Sequence, residues 1–303
     1  MQVRSQDERP RRFQDPGAKP PLSFEMYPPR SAKGRRALAE TTRRLAGVAS
    51  AGFSVTMGAG GSAPSGTHET ALEIAQISGR PVMAHLIAQG HSRAETLRLA
   101  DGFWQDGITQ ILALRGDPPS ADQAVKKGGF SHASQLVAAL RDRHDFRISV
   151  AAYPEKHPQA RSLDDDIDHL KEKLDAGATD AICQFVLDPA AYARFVDACG
   201  RRGVTAPLIP GLMPLENWPR VRAFAMANET RVPRRLDRLF GAFEEESEAR
   251  RLAAMAVVAE QARQLVAYGA PALHIYALNR WQMPLALAQV LQNADQAAAL
   301  GLR

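Results

Sequence analysis

The sequence has 303 residues, of which 45% are hydrophobic, 23% charged and 6% aromatic, and this composition excludes a chain that is disordered as a whole. The formal net charge is +5, but aromatic residues are sparse and no basic stripe alternates with them. Nucleic-acid binding is therefore disfavoured, whereas anionic small ligands fit the charge.

The ends and the cysteines of the chain indicate a cellular setting. The polar residues 1–20 lack the apolar core of a signal peptide, and the apolar runs elsewhere are far shorter than the roughly 20 residues of a membrane helix. We therefore expect a cytoplasmic protein whose residues 1–20 form a polar, loosely ordered extension. Cys183 and Cys199 are too few for a disulfide framework and lack the close spacing of a zinc motif.

Eight short apolar runs recur from residue 22 onward, with amphipathic segments between them. They cover residues 22–26, 53–57, 81–86, 109–114, 148–153, 181–185, 206–210 and 272–276. Buried runs separated by helical patterns are typical of a parallel sheet that is covered by helices. Eight such units predict an α/β fold, a closed (β/α)8 TIM barrel, as a single domain over residues 21–303.

Some of the intervening segments carry specific helix signals. Residues 163–176 have apolar residues at helical spacing, with acidic residues at the start and lysines near the end, which complements the helix dipole. A longer helical pattern covers residues 246–268. The stretch from 211 to 269 exceeds one barrel unit, so we predict an additional helix near residues 233–240.

In a barrel of this class the chemistry lies at the carboxyl ends of the strands, and the residues there are polar. They are Glu25, Thr56, His85, Arg115, Asp117, Tyr153, Glu155, His157 and Gln184, with Gly116 between Arg115 and Asp117. Alternation along the first strand places Ser23 and Glu25 on one face and Phe24 on the other. If Phe24 packs beneath the helices, Glu25 faces the mouth of the barrel.

Each of these residues alone also has an ordinary structural interpretation. A single strand-end carboxylate such as Glu25 or Asp117 is about as prone to pair with an arginine or cap a helix as to act on a substrate. A single histidine such as His85 or His157 is more often a hydrogen-bonded packing residue. The coincidence of polar residues at six strand ends of one rim is what favours a site.

Five motifs then occur in order along the chain. They are Ser23-Phe24-Glu25 with Pro28-Pro29, Ser54-Val55-Thr56 with Gly58-Ala59, Ala113-Leu114-Arg115-Gly116-Asp117, Ala151-Ala152-Tyr153-Pro154-Glu155 with His157-Pro158, and Tyr276-Ala277-Leu278-Asn279-Arg280. Together they resemble the methylenetetrahydrofolate reductase family of the bacterial type. The resemblance covers residues 22–283, and five ordered motifs are far more specific than any one of them.

The resemblance implies a reaction as well as a fold. It implies a catalytic barrel without a regulatory domain, holding non-covalent FAD. NADH or NADPH would give a hydride to the flavin and leave, and 5,10-methylenetetrahydrofolate would then bind at the same face and be reduced to 5-methyltetrahydrofolate, in a ping-pong sequence. The implied partners are these folate and nicotinamide molecules, with neither nucleic acid nor a membrane, while a homo-oligomer stays open.

Matching by motif also implies roles for single residues. Glu25 matches the general acid, and Asp117 matches a second catalytic residue beside the flavin. The five-membered ring of the folate opens only when its leaving nitrogen is protonated, and we expect the partly apolar mouth to raise the pKa of Glu25 toward neutrality. Gln184, Phe224 and Arg280 are implied to contact the substrate.

A larger set of residues matches the flavin contacts of the family. These are Thr56, His85, Arg115, Gly116, Asp117, His132, Ala133, Tyr153, His157, Asp166, His169 and Lys173. Asp166 and Lys173 lie seven residues apart, hence on one face of the predicted helix, where the acid would meet ribose hydroxyls and the lysine the diphosphate. Without the resemblance, both would be ordinary charges of a solvated helix face. The chain departs from the family pattern at Glu172, where a basic residue is common, and near His132, where tyrosine is common.

Three other functions remain open at this stage. A close variant passes hydride directly from nicotinamide to folate without flavin, and the retained flavin-contact residues disfavour it. A metal-dependent barrel hydrolase would use the histidines and carboxylates of the rim, but the sequence has no HxH or HExxH pair, so we expect no metal site. The third alternative is a folate- or flavin-binding protein without catalysis.

Overall fold

The computed structural model of the chain describes residues 19–58, 64–116, 128–245 and 247–293. Eight strands of these residues form one closed barrel, in which each strand pairs in parallel with the next and the last pairs with the first. The strands are β1 Leu22–Met26, β2 Gly52–Val55, β3 Val82–Ile87, β4 Gln110–Leu114, β5 Arg147–Ala152, β6 Asp180–Phe185, β7 Leu208–Leu212 and β8 Leu273–Tyr276. The predicted (β/α)8 TIM barrel is confirmed.

Helices connect the strands on the outside of the barrel. In the described ranges they are α1 Ala32–Ala46, α2 Pro64–Ser78, α3 Arg93–Gln105, α4 Ala133–Arg141, α5 Leu163–Asp175, α6 Pro189–Arg201, α7 Trp218–Ala227, α8 Arg234–Gly241, α9 Glu248–Ala267 and α10 Gln282–Gln292. One helix follows each strand except β7, after which three helices precede β8. Across the described ranges, none of these helices has the length and apolarity needed to cross a membrane.

The hydrophobic core lies between the strands and the helices. Leu22, Phe24 and Met26 of β1 are fully buried in it, and the Phe24 ring lies 6.1 Å from that of Phe53 on β2. Ser23 and Glu25 alternate with these core residues and are only partly buried. Because successive side chains of a strand face opposite sides, Ser23 and Glu25 face the barrel interior, as predicted.

A polar network joins β5 and β6 at the amino-terminal end of the barrel. The Asp180 carboxylate on β6 is buried and accepts hydrogen bonds from Arg147 and Ser149 on β5. A buried carboxylate needs partners of this kind to offset the loss of its hydration. The network therefore stabilises the pairing of β5 with β6, at the end of the barrel opposite to the one where sites lie in this fold.

The bounds of several elements differ from the predicted ones. β7 spans Leu208–Leu212, two residues later than the predicted run 206–210. Gly211 lies inside this strand. A Cβ atom there would come within 2.8 Å of the Tyr276 ring, so only glycine fits without displacing that ring. The predicted helices correspond to α5, α8 and α9. α7 has no predicted counterpart because it is short and only Trp218, Val221 and Ala225 of its residues are buried.

Candidate active site

A carboxyl group and two histidines meet inside the carboxyl-terminal half of the barrel. Oε2 of Glu25 lies 3.4 Å from Nε2 of His274 on β8 and 3.5 Å from Nε2 of His85 on β3. The side chain of Glu25 is 13% exposed, so the carboxyl is nearly enclosed but still open to the mouth. The position is the one that the sequence analysis predicts for Glu25.

His274 links this carboxyl to a deeper layer of polar side chains. Its Nδ1 atom lies 2.7 Å from Oγ of Ser23, and its Nε2 atom lies 3.5 Å from Oγ of Ser54. The ring is 1% exposed. Ser23, His274 and Glu25 therefore form a continuous polar chain that runs from the interior of the barrel to its mouth.

The pKa of Glu25 departs from its ordinary value in the direction opposite to the predicted one. Burial acts to raise the pKa of the carboxyl, but the hydrogen bond with His274 and the charges of His85 and His274 outweigh burial and lower it. Burial lowers the pKa of His85 to about 4, although the Glu25 charge opposes this. The prediction of a raised pKa is wrong for the structure because it places no histidine beside Glu25.

A cavity of about 330 Å³ lies at the same end of the barrel, between the ends of β4 and β5 and the helices α4 and α5. Most of the predicted flavin contacts line it, namely Arg115, Gly116, His132, Ala133, Tyr153, His157, Asp166, His169 and Lys173. Glu172 and Gln159 line it as well. The cavity therefore gathers an arginine, a lysine and three histidines around two carboxylates, a lining that suits an extended ligand carrying negative charge.

The two charges of α5 that the sequence analysis pairs do face this cavity together. Nζ of Lys173 donates a hydrogen bond to the carbonyl of Ala151 at 2.6 Å, and burial lowers the pKa of the lysine to about 8 while Asp166 acts to raise it. Oδ2 of Asp166 accepts a hydrogen bond from the backbone of His157 at 3.0 Å. The helix is fixed in this rotation by its N-cap Ser162, whose Oγ accepts from the backbone of Asp165.

Arg115 is held in place by groups on both sides. Its Nη2 donates to Oε1 of Gln159 at 2.6 Å, and its Nε donates to the carbonyl of Gly116 at 3.1 Å. Gly116 has a φ of +87°, and a Cβ atom there would lie 2.4 Å from Cγ2 of Ile87, so the turn after β4 requires glycine. Asp117, the next residue, lies outside the described residues.

Two predicted flavin contacts, Thr56 and His85, are not part of the cavity lining. Oγ1 of Thr56 is nevertheless buried and has no hydrogen-bond partner among the described residues, while Nε2 of His85, also buried, faces the Glu25 carboxylate at 3.5 Å. Buried polar atoms are normally satisfied, and an unsatisfied one calls for an explanation such as a ligand. The Thr56 hydroxyl, just after β2, thus fits a bound cofactor.

The predicted substrate contacts lie on the other side of the mouth, at the ends of β6 and β8. Oε1 of Gln184 accepts hydrogen bonds from the Tyr276 hydroxyl at 3.2 Å and from the backbone of Phe185 at 3.0 Å. These two hydrogen bonds fix which side of the Gln184 amide carries the oxygen. The Phe224 ring on α7 stacks on Phe185 at 5.3 Å and is 43% exposed, and Arg280 is exposed after β8.

Several residues of the site are not singled out as site residues by the sequence analysis. His274 and Tyr276 lie two residues apart on β8 and so face the same side of the strand, opposite Ser23 and Glu25 of β1. This spacing is a sequence signal for a shared interior face. Gln159 gives no such signal, because its contact with Arg115 depends on the path of a loop. Among the described residues, no group of three or more His, Cys, Asp and Glu side chains could hold a metal ion.

The sequence also resembles that of known proteins along nearly its whole length. The profile of the family described as methylenetetrahydrofolate reductase matches residues 11–294. The 5,10-methylenetetrahydrofolate reductase of Pectobacterium carotovorum is 34% identical over 272 residues, which cover 89% of this chain and 89% of the relative. The enzyme of the same name from Escherichia coli is 34% identical over 270 residues, covering 89% of this chain and 90% of the relative.

Solved structures support the fold. Oxaloacetate acetylhydrolase superposes with a TM-score of 0.52 at 13% identity, covering 93% of this chain and 83% of that chain. At this identity the likeness concerns the barrel alone. The family profile matches almost the whole chain, and the two bacterial relatives match 89% of it at 34% identity, so these similarities establish the family as well as the fold. The chain belongs to the methylenetetrahydrofolate reductase family, and it is an oxidoreductase.

Proposed function

We propose that the protein reduces 5,10-methylenetetrahydrofolate to 5-methyltetrahydrofolate, with NADH or NADPH as hydride donor and non-covalent FAD as carrier, in a ping-pong sequence. Membership of the family supports this reaction. The observation that carries the proposal is the nearly enclosed Glu25 carboxyl, in contact with His85 and His274, at the same barrel end as the cation-lined cavity. The same proposal places the reaction in cytoplasmic one-carbon metabolism, in the supply of methyl groups to methionine.

The cavity at β4, β5 and α5 is where we place the flavin. When bound, FAD would supply the hydride carrier that no side chain can replace. Arg115 and Lys173 would bind its diphosphate as cations, and Oδ1 of Asp166 would accept from a ribose hydroxyl. Thr56 would then find the hydrogen-bond partner that the described residues do not give it, and His85 stays proposed as a flavin contact.

Glu25 would donate the proton that opens the five-membered ring of the folate. Ring opening needs this proton, because an unprotonated nitrogen is a poor leaving group. The lowered pKa of Glu25 means that the carboxyl is ionised near neutrality before substrate binds. A substrate over the mouth would remove water from the carboxyl and so raise its pKa. The carboxyl, which is 13% exposed, would take this proton from solvent at the mouth, and His274, at 3.4 Å, would hold the carboxyl in position.

The opposite side of the mouth would bind the folate. The amide of Gln184 offers a donor and an acceptor to the edge of the pterin, and the Tyr276 hydroxyl fixes which way that amide faces. The exposed ring of Phe224 offers a stacking surface, and Arg280 offers a cation to a substrate carboxylate. Asp117, which lies outside the described residues, stays proposed as a second catalytic residue beside the flavin.

The proposal is tested by product formation under anaerobic conditions. The purified chain is incubated with FAD, 5,10-methylenetetrahydrofolate and either NADH or NADPH, and 5-methyltetrahydrofolate is measured by mass spectrometry. We expect FAD-dependent product with the wild type and none above background with Glu25→Gln, although the variant still binds FAD. Product at the full rate without flavin would contradict the flavin part, and no product from flavin-loaded wild type would contradict the substrate.

A further inference from the structure

The ammonium group of Lys156 contacts several backbone carbonyls of the loop between β5 and α5. Nζ of Lys156 donates hydrogen bonds to the carbonyls of His157 at 3.1 Å, Pro158 at 3.4 Å and Ala160 at 2.9 Å. An ammonium has three donors and no acceptor, so these three carbonyls use its full capacity. Oε2 of Glu229, at 3.6 Å, adds a fourth oxygen from the segment after α7. The arrangement resembles a cation bound in a cage of oxygens.

The backbone of Lys156 is strained by this arrangement. Its φ is +81°, in the left-handed region that residues with a Cβ atom rarely occupy. Such a conformation persists only where the surrounding contacts determine it, and it is frequent at functional sites. The three carbonyl contacts of the ammonium are the contacts that determine it here. The carbonyl dipoles converge on one point, so without a cation they would repel one another.

The same loop carries much of the cavity wall. Tyr153, His157 and Gln159 line the cavity, and the rings of the first two meet edge to face at 4.6 Å. The backbone of Gln159 donates to Nδ1 of His157 at 3.1 Å, which orients the imidazole. The side chain of Gln159 in turn holds Arg115 at 2.6 Å. A change in the path of this loop would therefore displace an aromatic ring, an imidazole and a guanidinium together.

We propose that Lys156 is a positioning residue of the flavin site, whose ammonium takes the place of a bound cation in organising residues 153–160. It sets the positions of His157 and Gln159, and through Gln159 that of Arg115, without lining the cavity itself. The inference rests on the proposed flavin-dependent function. It assigns to this chain a requirement for the Lys156 ammonium in binding FAD, as distinct from a requirement in the chemistry of the folate.

Two substitutions separate the charge from the backbone strain. Lys156→Gly removes the ammonium and adopts the left-handed conformation freely, whereas Lys156→Met keeps most of the stem and the strain. We expect both to raise the FAD dissociation constant about tenfold, because charge-assisted hydrogen bonds that order the binding loop are lost. We also expect faster hydrogen exchange at the amides of Gln159 and Ala160 in the chain without added flavin. Lys156→Gly should unfold at a temperature close to that of the wild type.

Lys171→Met is the matched control, since Lys171 lies on α5 outside the cavity lining and pairs with Asp175 at 2.6 Å. It removes the same charge from the same region, and we expect wild-type FAD binding and exchange. The proposal is overturned if Lys156→Gly keeps the wild-type dissociation constant and exchange rates, or if Lys171→Met weakens FAD binding equally. If the wild type itself binds no FAD, the proposed function fails, while the exchange rates still decide whether Lys156 organises the loop.

Discussion

Nε2 of His274 lies 3.4 Å from Oε2 of Glu25, although 249 residues separate the two in the sequence. Closure of the barrel brings them together, because β8 pairs with β1 in a register that sets His274 beside Ser23, two residues before Glu25. The contact makes the ionised carboxyl more stable than an isolated one at the same depth would be. The acid–base behaviour of Glu25 is therefore a property of this pair.

Replacing His274 by asparagine should change stability in a pH-dependent way. The folded pKa of Glu25 is lowered, so its ion contributes stability that is present above the ordinary glutamate value of 4.5 and is lost as pH falls through the folded pKa. His274→Asn removes the main partner, and we expect a loss of about 1–3 kcal/mol at neutral pH. In urea unfolding, the difference in free energy of unfolding between variant and wild type should become smaller below pH 4.5. A gap of the same size at both pH values would contradict the role of His274.

The buried Lys173 should make FAD binding depend on pH. Burial holds the pKa of this lysine at about 8, and a diphosphate beside it would raise that pKa, so binding takes up a proton above pH 8. The FAD dissociation constant should therefore rise as pH increases through about 8. Lys173→Met should bind FAD more weakly and without this pH dependence. Fluorescence titrations with FAD on either side of pH 8 measure the dissociation constant. If the constant of Lys173→Met depended on pH as steeply as that of the wild type, Lys173 would be excluded as the source of the pH dependence.

Gly211 should be required for the position of Tyr276. A Cβ atom at residue 211 would lie 2.8 Å from the carbonyl of Cys183 and 2.8 Å from Cε2 of Tyr276. Gly211→Ala should cost about 1–3 kcal/mol of stability by overpacking, and should raise the KM for the folate more than the dissociation constant of FAD. Gly200→Ala on α6 is the control, since nothing lies within 4 Å there, and it should be neutral or stabilising. If Gly211→Ala raised the KM for the folate and the FAD dissociation constant by the same factor, the structural change would not be confined to Tyr276.

Asn279 should hold the loop after β8 in a strained conformation. Leu278 and Asn279 have φ values of +51° and +56°, and the Asn279 amide exchanges two hydrogen bonds with the backbone of Tyr27, at 3.1 and 2.9 Å. Asn279→Ala loses both hydrogen bonds and keeps the backbone strain. Asn279→Gly also loses both hydrogen bonds, but glycine adopts the positive φ without strain. The alanine variant should be less stable than the glycine variant by about 1 kcal/mol. Thermal unfolding of the two variants measures the difference, and the reverse order would argue against strain at this position.

The fold and much of the site follow from the sequence because parallel strands of a barrel end at one rim. Reading the strand ends is enough to place Glu25, Arg115 and Gln184 at the same end of the molecule. The helical spacing of Asp166 and Lys173 is enough to place both on one face of the helix, the family resemblance implies that this face meets the flavin, and both residues line the cavity. Placing these residues on one rim and on one helix face needs only local periodicity and the direction of the strands.

The remainder depends on geometry that local patterns do not encode. The lowered pKa of Glu25 follows from a partner at the far end of the chain, which only the closure of the barrel identifies. The left-handed backbone of Lys156 and its cage of carbonyls follow from the path of a loop without periodicity. The predicted end of β7 at residue 210 is two residues early because the strand continues through Gly211, whose close contact with Tyr276 forms only in the closed barrel.

Two anaerobic half-reactions, followed through the absorbance of the bound flavin, separate the steps of the proposed reaction. NADH or NADPH should bleach the flavin of the wild type, and 5,10-methylenetetrahydrofolate should then restore its colour. Glu25→Gln should be bleached at a comparable rate and regain almost no colour, because proton donation is needed only in the second half-reaction. Bleaching of the wild type without recovery on adding the folate would contradict the proposed substrate, and full recovery in Glu25→Gln would contradict the proposed acid.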